Sequence, residues 1–129
     1  MIYLDSCLLI YAIEQHPSFG TPTHDALASV DSEFAISPLV KTECLVQPLK
    51  RGNIELKKRY ETAFAHLATL PMPEEIFLDA TLLRARFNLK TPDALHLSCA
   101  QHHQCKALWT NDNRFSSAGH GLPVNILSV

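Results

Sequence analysis

A chain of 129 residues, 47% of them hydrophobic, can bury one core and has the usual size of one domain. Thirteen acidic residues against eleven lysines and arginines give a net charge of −2, so the overall charge indicates neither a nucleic acid nor a membrane as partner. The sequence has no apolar run of transmembrane length, no signal-peptide pattern and no Cys-x-x-Cys pair. We therefore expect a cytoplasmic protein with a single domain over residues 1–129.

Strand-like and helix-like segments alternate along the chain. In chain order, the predicted elements are strand 1–4, helix 7–14, helix 23–31, strand 34–36, helix 38–47, helix 53–69, helix 74–88, helix 92–103, strand 107–109 and strand 124–127. A hydroxyl residue followed by proline marks the start of two of the helices, at Ser37-Pro38 and at Thr91-Pro92. The alternation predicts an α/β domain with a mostly parallel sheet.

Charge is unevenly distributed along the chain. Residues 1–49 carry six acidic residues and one basic residue, residues 50–90 carry eight basic and five acidic, and residues 91–129 balance. This pattern is compatible with an acid-lined site beside a phosphate-binding surface. In the simpler interpretation, it reflects ordinary solvated helix faces.

Three aspartates lie where an open α/β sheet binds its ligands, outside the carboxyl ends of the strands. Asp5 directly follows the first predicted strand, and Asp112 follows residues 107–109 after a two-residue gap. Asp93 lies in the first turn of the helix that begins at Pro92. Each also has a structural interpretation: Asp5 as a helix cap, Asp93 as a partner of the helix dipole and Asp112 as a turn residue.

Glu43 is a fourth candidate, because helical spacing places it on the apolar stripe of Leu39 and Val40. A carboxylate on a buried stripe needs a partner, and neither Lys41 nor Lys50 has the spacing to provide one along the helix. Four clustered carboxylates would raise one another's pKa and would require a cation. An all-oxygen ligand set suits Mg²⁺ or Mn²⁺, which activates water for phosphodiester cleavage.

Four motifs together resemble the PIN domain, in particular the small bacterial VapC-type toxins, which are ribonucleases. They are Asp5-Ser6 after the first strand, Ser37-Pro38 followed by Glu43, Thr-Pro-Asp-Ala-Leu-His-Leu from Thr91, and Trp-Thr-Asn-Asp-x-x-Phe over residues 109–115. The resemblance spans the whole chain, and residues 91–115 are its most specific part. It implies a three-layer α/β/α sandwich around a mostly parallel five-stranded sheet, and a metal-dependent endoribonuclease that cleaves RNA.

The resemblance also implies roles for individual residues. The positions that match the family's catalytic and metal-binding acids are Asp5, Glu43, Asp93 and Asp112. Asp5 and Asp93 would bind Mg²⁺ or Mn²⁺ directly, Asp112 directly or through water, and Glu43 would orient a metal water or hold a second ion. Ser6 and Thr110 match the supporting hydroxyl positions.

Partners are implied as well. A VapC-type toxin has a VapB-type antitoxin, whose C-terminal segment blocks the acidic pocket, and it forms a homodimer. Candidate phosphate contacts for the RNA are the basic residues Lys50, Arg51, Lys57, Lys58, Arg84 and Arg86. His96 is interpreted as helix packing or surface rather than as a ligand.

Two other classes of function remain open from sequence. One is a catalytically silent PIN-like module that binds RNA or a protein partner. The other is a phosphotransfer domain, but a dehalogenase-type phosphatase requires Asp-x-Asp after its first strand, and Cys7 occupies the second of these positions.

Overall fold

The computed structural model of the protein describes residues 1–112, 118–119 and 122–125. In chain order the elements are β1 (Ile2–Leu4), α1 (Ser6–Ile13), α2 (Gly20–Ala28), β2 (Phe34–Ile36), α3 (Pro38–Arg51), α4 (Ile54–Ala65), β3 (Ala68–Thr69), α5 (Glu74–Phe87), α6 (Thr91–His102), β4 (Ala107–Thr110) and β5 (Pro123–Asn125). Among the described helices, none combines the length and the apolar character needed to span a membrane.

The strands form a five-stranded sheet over the described residues, in the order β3-β2-β1-β4-β5, and every neighbouring pair is parallel. Strand β1 is central, since Ile2 pairs with Phe34 of β2 on one side and with Ala107 of β4 on the other. The chain winds outward from β1 to β3 and then returns to β4 and β5 on the other side. The predicted parallel five-stranded sheet is confirmed.

The winding direction decides which helices share a face of the sheet. Because parallel crossovers are right-handed, reversing the direction of winding moves the connecting helices to the opposite face. Helices α1 to α4 pack against one another on one face, and α5 packs on α6, which contacts β4. The result is the predicted three-layer α/β/α sandwich, with the sheet in the middle.

The prediction of one helix over residues 53–69 is wrong at its C-terminal end. Helix α4 ends at Ala65, and Ala68–Thr69 forms an edge strand paired with β2. The hydrophobic pattern does not mark this end, because Leu67 packs against the core after the helix has stopped.

Other boundaries differ from the prediction by a few residues. Helix α3 was expected to end at residue 47 but continues through Pro48 to Arg51. Pro48 cannot donate a backbone hydrogen bond, but the helix tolerates it because it is buried in the last turns. Gly52, with φ of 65°, ends the helix in the left-handed conformation. Strand β5 overlaps the predicted strand 124–127, whose last two residues lie outside the described residues.

The interior is built around β1, β4 and α6. Every residue of α6 from Ala94 to Ala100 is buried, because this helix lies between the sheet and α5. Polar side chains on such a helix need partners inside the protein. Ser98 meets this requirement by donating to the carbonyl oxygen of Ile76 at 2.8 Å. His96, which is 1% exposed, finds its hydrogen-bond partners at the carboxyl edge of the sheet.

The four cysteines are free thiols, and three of them are buried. Burial raises the pKa of Cys7, Cys44 and Cys99 to about 12, and it also raises the pKa of Cys105. We predict that a disulfide reagent at pH 8 reacts with Cys7, Cys44 and Cys99 of the native protein on the order of a thousandfold more slowly than with the urea-unfolded chain. The unfolded chain should release four equivalents of chromophore. A fast equivalent in the native protein would contradict the burial of that thiol.

Candidate metal centre

Asp5 stands at the carboxyl end of the central strand, where β1 turns into α1. Its backbone N–H donates to the carbonyl oxygen of Trp109 at 3.0 Å, which ties it to the end of β4. Although Asp5 occupies the N-cap position of α1, its side chain makes no capping hydrogen bond. The carboxylate instead accepts a hydrogen bond from Thr110 Oγ1 at 2.8 Å, with Ser6 Oγ at 3.4 Å from its other oxygen. The capping interpretation of this residue is therefore wrong.

Glu43 reaches the same place from α3, whose first turn is fixed by Ser37 as N-cap residue. Its Oε1 accepts a hydrogen bond from Ser6 Oγ at 3.1 Å and lies 2.6 Å from His96 Nε2. Burial alone would raise the pKa of Glu43, but the hydrogen bond and the charge interaction with His96, together with the hydrogen bond from Ser6, outweigh it and lower the pKa below its ordinary value. Glu43 is therefore a carboxylate at neutral pH.

His96 is the residue that sequence reasoning missed. Helix packing, one of its two predicted environments, is correct, but its ring also faces the acids. Nε2 lies 3.9 Å from Asp5 Oδ1, and ligand atoms of Asp5, Glu43 and His96 all lie within 4.8 Å of one another. The available signal was its spacing: a residue three positions after Asp93 lies on the same face of the helix.

Of the other two predicted acids, Asp112 is positioned beside this cluster, and neither Asp112 nor Asp93 is a member of it among the residues that the structure describes. Asp112 is half-buried beyond β4, and its backbone N–H donates to Thr110 Oγ1, the same hydroxyl that donates to Asp5. Asp93 is half-buried in the first turn of α6 and lines a cavity with Lys90. The metal-binding roles of all four acids stay predictions.

The donor set of the cluster fits a divalent cation. Two carboxylates, 14% and 30% exposed, approach each other, and the Ser6 hydroxyl lies within hydrogen-bonding distance of both. Their mutual repulsion favours binding of a positive ion, and carboxylate oxygen donors suit Mg²⁺ or Mn²⁺. Among the residues described, neither lysine nor arginine forms a salt bridge with these two acids.

The six candidate phosphate contacts do not form one surface. Lys50 and Arg51 end α3 and Lys58 lies on α4, all exposed on one face of the sheet. Arg84 and Arg86 lie on α5, on the opposite face. Lys57 is paired with Glu61 at 3.3 Å, and Arg84 Nε donates to the carbonyl oxygen of Leu89 at 3.0 Å.

The fold and the cluster together define a doubly wound α/β domain with carboxylates at the carboxyl edge of its central strands. The family model of the PIN domain matches residues 2–121. The chain therefore belongs to the PIN domain family, and the resemblance seen in its motifs is confirmed. Comparison with curated protein sequences gives no match.

Solved structures from toxin–antitoxin systems share this fold. A toxin–antitoxin complex from Klebsiella pneumoniae has a chain 24% identical to this one, with a TM-score of 0.83 and 100% of both chains covered. VapBC2 from Rickettsia felis, bound to a promoter DNA fragment, gives 22% identity and a TM-score of 0.78 over 97% of this chain and 98% of that chain. VapC20 from Mycobacterium tuberculosis, a sarcin-ricin loop cleaving toxin, gives 14% identity and a TM-score of 0.79 over 92% of this chain and 95% of that chain. At these identities, the likeness establishes the fold.

Proposed function

We propose that this protein is a metal-dependent endoribonuclease that hydrolyses RNA phosphodiester bonds. The observation that carries the proposal is the cluster of Asp5, Glu43 and His96 at the carboxyl edge of the sheet of a PIN domain. Two carboxylates brought together in a partly buried place repel each other, so their contact does not by itself stabilise the fold. Such an arrangement is understandable as a cation site that serves chemistry.

The residues of the chain divide the work as follows. Asp5 and Asp93 would hold Mg²⁺ or Mn²⁺, with Asp112 binding directly or through water and Glu43 orienting water or holding a second ion. When bound, the cation would neutralise charge on the scissile phosphate and supply activated water. Thr110 holds the Asp5 carboxylate in its orientation through the 2.8 Å hydrogen bond, and it also fixes the start of the segment that carries Asp112.

Holding the RNA requires positive charge beyond the cation. The exposed residues Lys50, Arg51 and Lys58 belong to the helical layer that contributes Glu43, so we propose that they contact phosphates on the way to the site. Arg84 and Arg86 would bind RNA only where it wraps past α5 on the other face.

We further propose that the protein is the toxin of a VapBC-type pair, acting in the cytoplasm. Support comes from the fold it shares with chains from toxin–antitoxin complexes and with VapC20, a sarcin-ricin loop cleaving toxin. A VapB-type antitoxin would then be its partner, and a homodimer its assembly. The exposed apolar side chains Phe77, Leu78 and Leu82 on α5 are compatible with a protein partner.

The direct test is cleavage of a mixed RNA pool by the purified protein with Mg²⁺, with Mn²⁺ and with chelator, beside the Asp93→Asn variant. We expect cleavage with metal only, and a large loss in Asp93→Asn. Cleavage that survives both chelator and the substitution would contradict a metal-dependent nuclease. Metal binding without cleavage of any RNA would instead favour a catalytically silent PIN module.

A further inference from the structure

A buried chain of hydrogen bonds runs from the start of α3 through β1 to α6 and ends at the acidic cluster. Ser37 Oγ lies 2.7 Å from Tyr3 Oη, and Tyr3 Oη lies 2.7 Å from His96 Nδ1. The other ring nitrogen, Nε2, lies 2.6 Å from Glu43 Oε1. Ser37 and Tyr3 are 0% exposed, and His96 is 1% exposed, so this chain is closed to water until it reaches Glu43.

The direction of each hydrogen bond follows from its ends. Ionised Glu43 can only accept, so His96 donates from Nε2, and in the tautomer with its one proton on Nε2 the ring accepts at Nδ1 from the Tyr3 hydroxyl. The Tyr3 oxygen in turn accepts from Ser37, whose own oxygen accepts the backbone N–H of Val40 at 3.4 Å. In this arrangement every polar hydrogen atom of the hydrogen-bonded chain has an acceptor, so burial of these groups costs little free energy.

We propose, resting on the metal-dependent function above, that His96 is a positioning residue that holds the Glu43 carboxylate in place for the cation, with its own ring oriented by Tyr3 and Ser37. Glu43 is the least buried member of the cluster and comes from the opposite helical layer, so without His96 its side chain has, among the described residues, only Ser6 as a hydrogen-bond partner. Outer partners that orient a metal-binding side chain commonly change metal affinity 10–100-fold when removed.

The geometry of the ring supplies a matched pair of variants. In His96→Gln the side-chain amide can reach the place of Nε2 and donate to Glu43, whereas in His96→Asn it reaches only the place of Nδ1 and stays with Tyr3. We expect His96→Asn to raise the Mn²⁺ dissociation constant by about 10–100-fold, and His96→Gln to recover binding to within about threefold of wild type. Tyr3→Phe, which keeps the ring but removes the orienting hydroxyl, should weaken binding by about tenfold, at the low end of that range.

Isothermal titration calorimetry with Mn²⁺ alone, in the absence of RNA, measures these affinities, and His66→Asn at an exposed histidine beyond α4 is the control. Circular dichroism and thermal melting of each metal-free variant show whether it is folded. Nitrogen NMR of the imidazole in the metal-free wild type gives an independent readout, since His96 should carry its proton on Nε2.

The outcomes separate the inference from the proposed function. Folded His96→Gln and His96→Asn that bind Mn²⁺ equally, whether both tightly or both weakly, would overturn the positioning role, and a ring without a proton on Nε2 would also overturn it. If wild type cleaves RNA while His96→Asn keeps its affinity, only the inference fails. If wild type binds Mn²⁺ in a His96-dependent way but cleaves no RNA, only the nuclease proposal fails. Wild type that binds no Mn²⁺ would overturn both.

Discussion

Asp5→Asn is expected to remove the thermal stabilisation that Mn²⁺ gives the wild-type protein. We also expect it to slow RNA cleavage by about 10²–10³-fold, because loss of one preorganised electrostatic group has an effect of that size. The variant has nearly the same shape, but it loses one negative charge of the cluster; its amide oxygen can still accept from Thr110, whereas its NH₂ group cannot accept from Ser6. The metal-free variant should keep its melting temperature, because relief of repulsion from Glu43 offsets the lost hydrogen bond.

Two melting curves per variant, with and without saturating Mn²⁺, measure the metal-linked stabilisation, since a ligand that binds only the folded state at 100 times its Kd adds about 2.7 kcal/mol. Asp79→Asn is the matched control, because Asp79 is exposed on α5, in the helical layer on the other face of the sheet. Undiminished Mn²⁺ stabilisation in Asp5→Asn would mean that the cation binds elsewhere.

Leu108→Ala is expected to produce the largest loss of stability, about 2–5 kcal/mol, with a fall in melting temperature of roughly 7–18 °C. Leu108 is 0% exposed and lies on β4, paired with Tyr3 of β1 on one side and with Pro123 of β5 on the other. Strands on both sides restrict how far the backbone can collapse into the cavity that the substitution leaves.

The matched control for this substitution is Leu82→Ala, which deletes the same atoms from a side chain that is 68% exposed on α5. Exposed positions change the free energy of unfolding by less than about 0.5 kcal/mol. Urea denaturation of both variants gives the comparison. Equal losses would contradict either the burial of Leu108 or the exposure of Leu82.

The order and kind of elements could be predicted from the sequence because local signals carry them. Ser37-Pro38 marks the start of α3 through a side-chain cap to the N–H of Val40, and short apolar runs mark β1 and β4. The meeting of Asp5 with Glu43 was predictable in outline, because parallel strands bring their carboxyl ends to one edge of the sheet.

What remained hidden depends on contacts between distant parts of the chain. Strand β3 has only two residues, and it forms because β2 provides a partner. No local sequence pattern therefore predicts it. His96 lies on a helix that is buried on all sides, where hydrophobic periodicity does not distinguish a residue that faces the acids from one that packs. Its role becomes visible only when Tyr3 and Glu43, which are 93 and 53 residues away in sequence, are seen at its two nitrogens.

The pairing of β1 with β4 has a consequence for the synthesis of the protein on the ribosome. Asp5 is synthesised 105 residues before Thr110, whose hydroxyl orients it. The central strand has no β4 neighbour until Ala107–Thr110 has been translated and released from the exit tunnel. A nascent chain therefore carries its acids without the assembled cluster. If the protein is a ribonuclease, this order of synthesis keeps it harmless to the messenger RNA and ribosome that are producing it.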